Sequence, residues 1–249
     1  MDSLISWVGG KKQLREKIAS HIPPNINTYV EAFGGAGWLL FYKNRWAEVE
    51  VYNDKDRRLV NLFRIAKYHP EALKKEMEFN LHSREMFKDF RLQEGLTDVQ
   101  RAARFFYLIK RSFGAKGMHF GTSAKSNSAK SNENILASIM NVAKRLDRVT
   151  IENLDYKDIF KIYDTEETFF FLDPPYRYGQ QYEVGRMNYE EFLCNLTKLK
   201  GKFLLTIDDC KENVEMFKQF NIKKVSRANG INRKRIVNNR FKELFVMNY

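Results

Sequence analysis

A short apolar segment, residues 28–33, runs directly into a glycine-rich turn that begins at Gly34. A helical pattern at residues 38–45 follows, and a second apolar segment, residues 49–53, ends at Asp54. This succession of strand, glycine turn, helix, strand and acid is typical of a βαβ nucleotide-binding unit. The 20 positions between Gly34 and Asp54 match the interval at which an acid reaches a ribose held over such a turn. The segment therefore predicts neighbouring parallel strands with a ligand site at their carboxyl ends.

The strand pattern returns in the second half of the chain. Predicted strands cover residues 149–153, 168–172, 203–207, 222–226 and 244–247. They alternate with helical patterns at residues 189–199 and 213–220, which indicates an open α/β sheet. The last two strands are expected to form an antiparallel hairpin at the sheet edge.

The region between these two parts has a different pattern. Residues 59–148 show helical periods rich in Lys, Glu, Phe and Leu, interrupted by a polar tract at residues 114–134. A tract of this length without helices of its own is usually functional. We therefore predict one α/β domain, residues 1–58 and 149–249, with a helical insertion that carries a basic loop or hairpin.

The composition excludes several classes of protein. Hydrophobic residues make up 43% of the chain, which provides enough apolar surface for a globular core. The longest apolar runs fall far short of the about 18 residues that a membrane-spanning helix needs. The N-terminus has neither a basic segment nor an apolar signal segment, and Cys194 and Cys210 lack disulfide or zinc spacing. We expect a soluble, cytoplasmic protein with no membrane partner.

The positive charge is concentrated in two segments. The chain has 43 Lys and Arg against 31 Asp and Glu, a net charge of +12. Residues 99–148 hold ten basic and two acidic residues, and residues 223–242 hold eight basic residues and no acid. The rest of the chain is therefore mildly acidic. This distribution favours nucleic acid as a partner, although a lysine-rich chain can also simply be soluble.

Four acids are placed at or near the ends of predicted strands. Asp54, Asp155 and Asp173 follow three strands, and Glu31 lies in a fourth. Ligands of open α/β sheets bind beyond the carboxyl ends of the strands, so we expect these side chains to converge there. Trp7 lies beside two glycines that leave space next to its ring, which favours a cofactor wall. The four histidines lack ligand spacing, so no metal site is predicted.

A rigid turn follows the apolar strand at residues 168–172. Asp173, Pro174, Pro175 and Tyr176 come next, and consecutive prolines fix the backbone and stop the strand. The Asp173 carboxylate, the Pro174 carbonyl and the Tyr176 ring suit a planar base that carries an exocyclic amine. A turn that merely ends the strand is the simpler alternative. The apolar strand before the turn and the tyrosine after it favour a functional site.

Together these segments resemble the Dam-type DNA adenine methyltransferases, which use S-adenosylmethionine. The matching motifs are W-x-G-G-K at residues 7–11, F-x-G-x-G at 33–37, the acid Asp54, the pair Asp155-Tyr156, D-P-P-Y at 173–176, and an R…E-L…N-Y tail from Arg233 through Glu243 to Tyr249. The resemblance covers nearly the whole chain in the order of the family. It implies a Rossmann-like class I methyltransferase fold with a mixed sheet, in which residues 59–148 form the DNA target-recognition domain.

The resemblance also implies roles for individual residues. Expected cofactor-binding residues are Trp7, Lys11, Glu31, Phe33, Gly35, Gly37, Asp54, Asp155, Tyr156 and Asp173. Expected catalytic residues are Asp173, Pro174 and Tyr176: the first two accept the amine hydrogens, and Tyr176 stacks on the flipped adenine. The basic tract itself, rather than the resemblance, predicts the DNA-binding residues Lys110, Arg111, Lys116, Lys125 and Lys130. Lys125 and Lys130 are assigned to phosphates, Arg111 and Lys116 to base edges, and no metal is expected.

The recognition sequence is a separate question. Dam-type enzymes that read GATC commonly carry a hairpin similar to F-N-V-P-F-G, whereas residues 114–121 read G-A-K-G-M-H-F-G. GATC therefore does not follow from this tract.

Other activities remain open from the residues alone. The same acceptors and ring could serve cytosine N4 or an RNA base, and a non-catalytic DNA-binding protein could retain this fold. By resemblance, Asp rather than Ser before the prolines favours adenine, and the intact motif argues against a decayed site. The expected ligands are double-stranded DNA and S-adenosylmethionine, with S-adenosylhomocysteine as product. A cognate restriction endonuclease is a candidate partner, and the chain is expected to be a monomer or a weak dimer.

Overall fold

The computed structural model describes residues 1–7, 9–123, 133–177, 187–228 and 240–249. The strands over these residues are β1 (Thr28–Glu31), β2 (Val49–Asn53), β3 (Val149–Glu152), β4 (Thr168–Leu172), β5 (Lys202–Asp208), β6 (Asn221–Ala228) and β7 (Arg240–Met247). The helices are α1 (Arg15–Ala19), α2 (Arg57–Tyr68), α3 (Pro70–Glu78), α4 (Arg84–Leu92), α5 (Asp98–Arg111), α6 (Glu133–Leu146), α7 (Tyr156–Tyr163), α8 (Tyr189–Leu196) and α9 (Lys211–Met216). Two short 3-10 segments cover Leu40–Tyr42 and Phe113–Ala115.

Contacts within the chain divide it into two compact units. The helical unit consists of Met1–Gly10, Gly35–Asn44 and Arg57–Ile151. The sheet unit consists of Lys11–Gly34, Arg45–Asp56 and Glu152–Tyr249.

The strands form one mixed sheet of seven strands in the order β3-β2-β1-β4-β5-β7-β6. β1 pairs in parallel with β2 and β4, and β4 pairs in parallel with β5. β7 lies antiparallel between β5 and β6, so the predicted C-terminal hairpin is confirmed and β6 forms the edge. The predicted α/β class with a Rossmann-like mixed sheet is therefore confirmed.

The core of the sheet unit is apolar and rich in aromatic side chains. Every residue of β4 is buried, which is typical of a parallel strand with both faces covered. Phe170 packs edge-on against Phe160 of α7, with their ring centroids 5.2 Å apart. Burial of β4 up to its last residue, Leu172, fixes the backbone position at which the following turn begins.

The helical unit is organised around α5, which packs against α2, α3 and α4. Thr97 and Gln100 form a capping box that satisfies N–H groups at the start of α5. Phe106 and Tyr107 are fully buried, and the Tyr107 hydroxyl donates to the carbonyl of Leu81 at 2.8 Å. No helix within the described ranges is long and apolar enough to cross a membrane.

The helix predicted at residues 38–45 is wrong. A 3-10 turn at Leu40–Tyr42 takes its place, after a glycine with φ of +67° at position 37. Residues 38–41 are all buried, so this segment lacks the polar face that an amphipathic helix needs. The sequence pattern also predicts a helix at about residues 11–21, whereas α1 covers only Arg15–Ala19.

Candidate active site

Asp173 is the first residue after β4, and its side chain is 17% exposed. The Lys11 ammonium lies 2.7 Å from Oδ1 and donates to Oδ2 at 2.8 Å. The hydroxyl of Thr206, a buried residue of β5, donates to Oδ1 at 2.8 Å. The pairing of Leu172 with Leu205 brings the two following residues, Asp173 and Thr206, side by side. Two donors from different parts of the chain therefore hold the carboxylate in one orientation.

A second carboxylate, Glu243 of β7, belongs to the same cluster. Its side chain is 2% exposed, and its Oε2 accepts a hydrogen bond from the Tyr176 hydroxyl at 3.0 Å. The same oxygen lies 3.9 Å from the Lys11 ammonium. Lys11 Nζ also lies 5.0 Å from the centroid of the Tyr176 ring. One buried ammonium thus connects Asp173, Glu243 and Tyr176.

The electrostatic environment of Asp173 combines opposing effects. Burial raises the pKa of Asp173, and the nearby Glu243 adds to this rise. The ammonium of Lys11 and the hydroxyl of Thr206 act in the opposite direction, because both favour the ionised carboxylate. Two carboxylates around one ammonium leave the cluster with a net negative charge when all three are ionised. Such a cluster suits a group on which positive charge develops.

The turn after Asp173 is fixed from the next helix. Tyr189, the first residue of α8, donates its hydroxyl proton to the carbonyl of Pro175. The guanidinium of Arg177 lies 4.7 Å from the Tyr189 ring centroid. Pro174 is buried, while Tyr176 is only partly buried. The proline turn is therefore held by a side chain as well as by its own backbone restriction.

Asn53, the last residue of β2, connects the ends of neighbouring strands. Its side-chain amide donates to the carbonyls of Ala32, at 2.8 Å, and Leu154, at 3.1 Å. Its Oδ1 accepts from the N–H of Leu154 at 2.8 Å. Asn53 is 1% exposed, so these bonds satisfy polar groups that water does not reach. These three hydrogen bonds, here called the Asn53 clamp, fix the chain just before Asp54.

The two acids at this end of the sheet differ in their surroundings. Asp54 accepts from the N–H of Asp56 at 2.8 Å. Asp155 caps α7 by accepting from the N–H of Lys157 at 3.2 Å, and it pairs with the Lys55 ammonium at 3.0 Å. Partial burial acts to raise the pKa of Asp155, but the Lys157 N–H and the Lys55 ammonium together bring it below its ordinary value. Asp155 is therefore a stable anion at neutral pH.

Three other predicted cofactor residues are packed within the sheet unit. The Phe33 ring lies 5.6 Å from the Tyr156 ring, and Tyr156 is 9% exposed. Glu31 is 1% exposed and accepts from the Tyr29 hydroxyl at 2.7 Å.

Gly34 lies at the sheet end of the glycine turn. A Cβ at Gly34 would lie 2.3 Å from the ring of Tyr52, so the backbone approaches this ring as closely as only glycine allows.

In the helical unit, Trp7 lies against the glycine turn. A Cβ at Gly35 would lie 3.3 Å from Cδ1 of Trp7, and Gly35 has φ of +51°. Gly37 also has a positive φ, of +67°. The Trp7 ring is tilted against Phe105, with centroids 5.8 Å apart. The two glycines are required by backbone conformation, and the indole borders the turn at Gly35.

The predicted DNA-binding residues fall into three groups. Lys116 is exposed in a tight turn, and Lys110 is half-buried with its ammonium 5.5 Å from the Phe106 ring centroid. Arg111 is only 4% exposed, and burial lowers the pKa of its guanidinium. Lys125 and Lys130 lie outside the described residues. Arg111 is thus buried and Lys116 exposed, although both residues were assigned to base edges.

Residues 112–121 form a compact hairpin around Lys116. Ser112 and Phe120 make an antiparallel bridge, and the N–H of Gly121 donates to the carbonyl of Arg111 at 2.7 Å. Gly114 and Gly117 have φ of +66° and +70°. The polar tract therefore begins in a closed turn, and its residues 124–132 lie outside the described part of the chain.

Residues 7–231 match the profile of a protein family described as D12 class N6 adenine-specific DNA methyltransferase. The chain belongs to this family. As a D12 class enzyme, it methylates N6 of adenine in DNA, and the predicted family, fold class and activity are confirmed.

Three type II methyltransferases are similar to this D12 class chain. M.CviBI of Paramecium bursaria Chlorella virus NC1A is 29% identical over 188 residues, which cover 71% of this chain and 69% of that protein. M1.LlaDCHI of Lactococcus lactis subsp. cremoris is 32% identical over 116 residues, 43% of this chain and 40% of that protein. M.MjaIII of Methanocaldococcus jannaschii is 26% identical over 289 residues, with 98% of each chain covered.

Sequence reasoning missed three side chains of the D12 class site. Thr206 is a lone polar residue in the otherwise apolar run at residues 203–207, and this pattern could have identified it. Glu243 lies in the tail motif, but no role was predicted for it. Tyr189 carries no signal in the sequence, because its contact with the proline turn depends on the packing of α8. Over the described part of the chain, no group of three or more His, Cys, Asp and Glu side chains is placed to hold a metal ion.

Proposed function

We propose that this D12 class enzyme uses S-adenosylmethionine and acts on an adenine flipped out of double-stranded DNA, with Asp173 and the Pro174 carbonyl as acceptors for the amine hydrogens. The observation that carries the proposal is the fixed orientation of the Asp173 carboxylate by Lys11 and Thr206. A methyl transfer to an amine needs the nitrogen lone pair aligned with the methyl group, and fixed acceptors provide that alignment.

The hydrogen bonds to Asp173 leave room for the amine. Each carboxylate oxygen has two acceptor positions. Among the described residues, Oδ1 accepts from Thr206 and Oδ2 accepts from Lys11, whose ammonium also lies 2.7 Å from Oδ1. The carboxylate therefore retains an acceptor position for an amine hydrogen. The second hydrogen is assigned to the carbonyl of Pro174, whose direction the proline ring and the Tyr189 contact with Pro175 help to fix.

Positive charge would build on the adenine nitrogen as its bond to the methyl carbon forms and the methyl–sulfur bond breaks; the nitrogen would then release a proton, which the Asp173 carboxylate can accept. When both carboxylates are ionised, the Asp173–Lys11–Glu243 cluster carries a net negative charge and is largely shielded from water, so it stabilises a developing positive charge more strongly than solvent-exposed acids would. A nucleophilic residue of the protein is not required, because the amine itself attacks.

The residues at the strand ends fit S-adenosylmethionine. When bound, this cofactor supplies an electrophilic methyl group on a positively charged sulfonium. Asp54 lies at the carboxyl end of β2, directly after the Asn53 clamp, where an acid can accept from ribose hydroxyls. Lys11 and Asp173 are assigned to the same cofactor.

The remaining assignments rest on the motifs and on local geometry. Asp155 with Tyr156, and Phe33 with its ring contacts, are proposed for the adenine part of the cofactor, and Glu31 for the same edge of the sheet. Trp7, Gly35 and Gly37 are proposed as further cofactor residues, because both glycines adopt conformations that other residues rarely adopt.

Tyr176 is proposed to stack on the flipped adenine. Extruding a base costs a few kcal/mol, and stacking on an aromatic ring offsets about 1–3 kcal/mol of this cost. Phosphate contacts from the basic segments offset more of it. Lys125 and Lys130 are proposed for that role, Lys110 as a further DNA-binding residue and Lys116 for a base edge.

The partners of the enzyme follow from its substrate and its relatives. The relatives are type II methyltransferases by name, so we propose a restriction endonuclease of the same sequence specificity as a partner. We propose that the enzyme acts as a monomer or a weak dimer in the cytoplasm, where its DNA substrate lies.

The test compares Asp173→Asn with Asp158→Asn, a half-exposed acid of α7 that pairs with Lys161. Transfer of labelled methyl groups from S-adenosylmethionine to unmethylated DNA is measured, and the modified base is identified by mass spectrometry. Asp173→Asn should lower kcat by about 100-fold or more while DNA affinity is kept, because the carboxylate acts on the amine. Asp158→Asn should behave as the native enzyme. Native-like turnover by Asp173→Asn would refute the proposed role.

A further inference from the structure

Glu243 is a buried carboxylate outside the D-P-P-Y turn. It lies in β7, an internal strand, and is paired at this position with Asp208 of β5 and Val225 of β6. Its side chain is 2% exposed. Burial of a carboxylate is costly unless charge and hydrogen bonds compensate for it. The backbone that carries Glu243 is thus held on both sides, and the side chain must have stabilising contacts.

Two of these contacts lead directly to the reaction site. Glu243 Oε2 accepts the hydrogen bond of the Tyr176 hydroxyl at 3.0 Å, and it lies 3.9 Å from the ammonium of Lys11. Tyr176 follows two prolines and is only partly buried, so the core does not enclose it completely. A hydrogen bond at the far end of the ring fixes the position of the phenolic oxygen and so restricts rotation about the Cα–Cβ bond, as backbone restriction alone cannot.

We infer that Glu243 is a positioning residue of this methyltransferase, which holds the Tyr176 ring in the position needed for stacking and shares Lys11 with Asp173. The inference rests on the proposed stacking role of Tyr176. Glu243 acts through Tyr176 and Lys11, and these two residues make the contacts with adenine and with the cofactor. The substrate that Glu243 helps to position is therefore the same flipped adenine.

The geometry separates two contributions of Glu243. The hydrogen bond to Tyr176 needs an acceptor oxygen at this position, and the attraction to Lys11 needs a negative charge. Tyr176→Phe removes the hydroxyl and keeps the ring. Glu243→Gln keeps the shape and an acceptor oxygen but removes the charge, so the remaining hydrogen bond is weaker.

The experiment measures kcat, KM for DNA and the fluorescence of 2-aminopurine at the target position for both single variants and for the double variant. Each single variant should lower kcat by about tenfold, in line with the loss or weakening of a hydrogen bond to a charged group. Fluorescence of the bound analogue should rise, because a loose ring stacks less well. The double variant should lose less than the product of the two single losses, since both changes affect the same bond.

A purely structural role predicts a different result. The losses would then add in the double variant, and S-adenosylmethionine affinity, measured by calorimetry, would fall with the melting temperature. Additive losses, or single variants with native kcat and fluorescence, would overturn the inference. Glu215→Gln, an exposed acid of α9 that pairs with Lys218, is the matched control and should keep native values.

Tyr176→Ala distinguishes this inference from the proposed function. If Tyr176→Ala has native methylation and fluorescence, the stacking role itself fails. If Tyr176→Ala is impaired while Tyr176→Phe and Glu243→Gln are native, the stacking role stands and the role of Glu243 is refuted.

Discussion

The Lys11 ammonium contacts both carboxylate oxygens of Asp173, at 2.7 and 2.8 Å, although 162 positions separate the two residues in the chain. Lys11 is 3% exposed and Asp173 17%, so water screens the pair poorly. The contact joins the W-x-G-G-K motif to the D-P-P-Y motif. Each charge therefore compensates the free-energy cost of burying the other.

We expect Lys11→Met to destabilise the protein by about 3–5 kcal/mol at neutral pH, because it leaves a buried carboxylate uncompensated. Without Lys11, burial and Glu243 raise the pKa of Asp173 further. The native state then binds a proton more tightly than the unfolded state, so stability falls as pH rises from the ordinary value of an aspartate to this raised pKa. Urea unfolding of Lys11→Met at pH 5 and pH 8 should show the lower stability at pH 8.

The double variant Lys11→Met/Asp173→Asn provides the control. Asparagine carries no charge to bury, so the double variant should be more stable than Lys11→Met at pH 8, with little dependence on pH. If the two variants are equally stable at both pH values, the ion pair does not account for the loss.

Replacing Asn53 by alanine should cost about 1–3 kcal/mol, because the carbonyls of Ala32 and Leu154 and the Leu154 N–H lose their buried partners. Affinity for S-adenosylmethionine should also fall, since Asp54 follows the lost clamp. Calorimetry and urea unfolding measure the two effects.

Asn153→Ala is the matched control for Asn53→Ala. Asn153 is exposed, and its amide donates to the carbonyl of Asp54 at 2.8 Å. Water can replace this bond, so the loss should stay below about 0.5 kcal/mol. Equal losses in the two variants would contradict the role assigned to Asn53.

Asp155→Ala should destabilise the protein by about 1 kcal/mol at pH 7, because α7 loses its N-cap and Lys55 its partner. The folded state holds the pKa of Asp155 below its ordinary value, so this stability is present above that value and is lost as pH falls through the lowered pKa. The difference in unfolding free energy between native enzyme and variant should therefore shrink towards pH 3. Asp158→Ala, in the first turn of the same helix, should show a smaller difference at pH 7.

The strands and the rigid turn could be predicted from sequence because their signals are local. β2 and β4 have the predicted bounds, since each is a short apolar run that stops at an Asn-Asp or an Asp-Pro-Pro boundary. The segment at residues 38–45 could not be predicted, because its conformation depends on burial of consecutive apolar residues rather than on helical periodicity.

The supporting side chains of the site depend on tertiary pairing. Thr206 meets Asp173 through the register of β4 and β5, and Glu243 meets Tyr176 because β7 enters the sheet beside β5. Neither the register nor the strand order is encoded in a local pattern. Sequence motifs therefore identified Asp173 and Tyr176, and the fold was needed to show what holds them.

Lys116 and Arg111 should respond differently to alanine substitution. Lys116 is exposed, so Lys116→Ala should leave the melting temperature unchanged. If Lys116 contacts a phosphate, the log–log salt slope of DNA binding should flatten by about 0.9. If it reads a base, one position of the site should lose about 1–3 kcal/mol of discrimination instead.

Arg111→Ala should act mainly on stability. The side chain is 4% exposed at the end of α5, where its own backbone carbonyl accepts from Gly121 of the hairpin. Removing it empties space beneath the hairpin, so the melting temperature should fall, and DNA affinity should weaken equally for all sequences because the hairpin loosens. Methylation of a randomised-site library, sequenced after reaction, separates the outcomes. A changed site preference with an unchanged melting temperature would show that Arg111 leaves its buried position to read a base, as its place in the basic tract predicts.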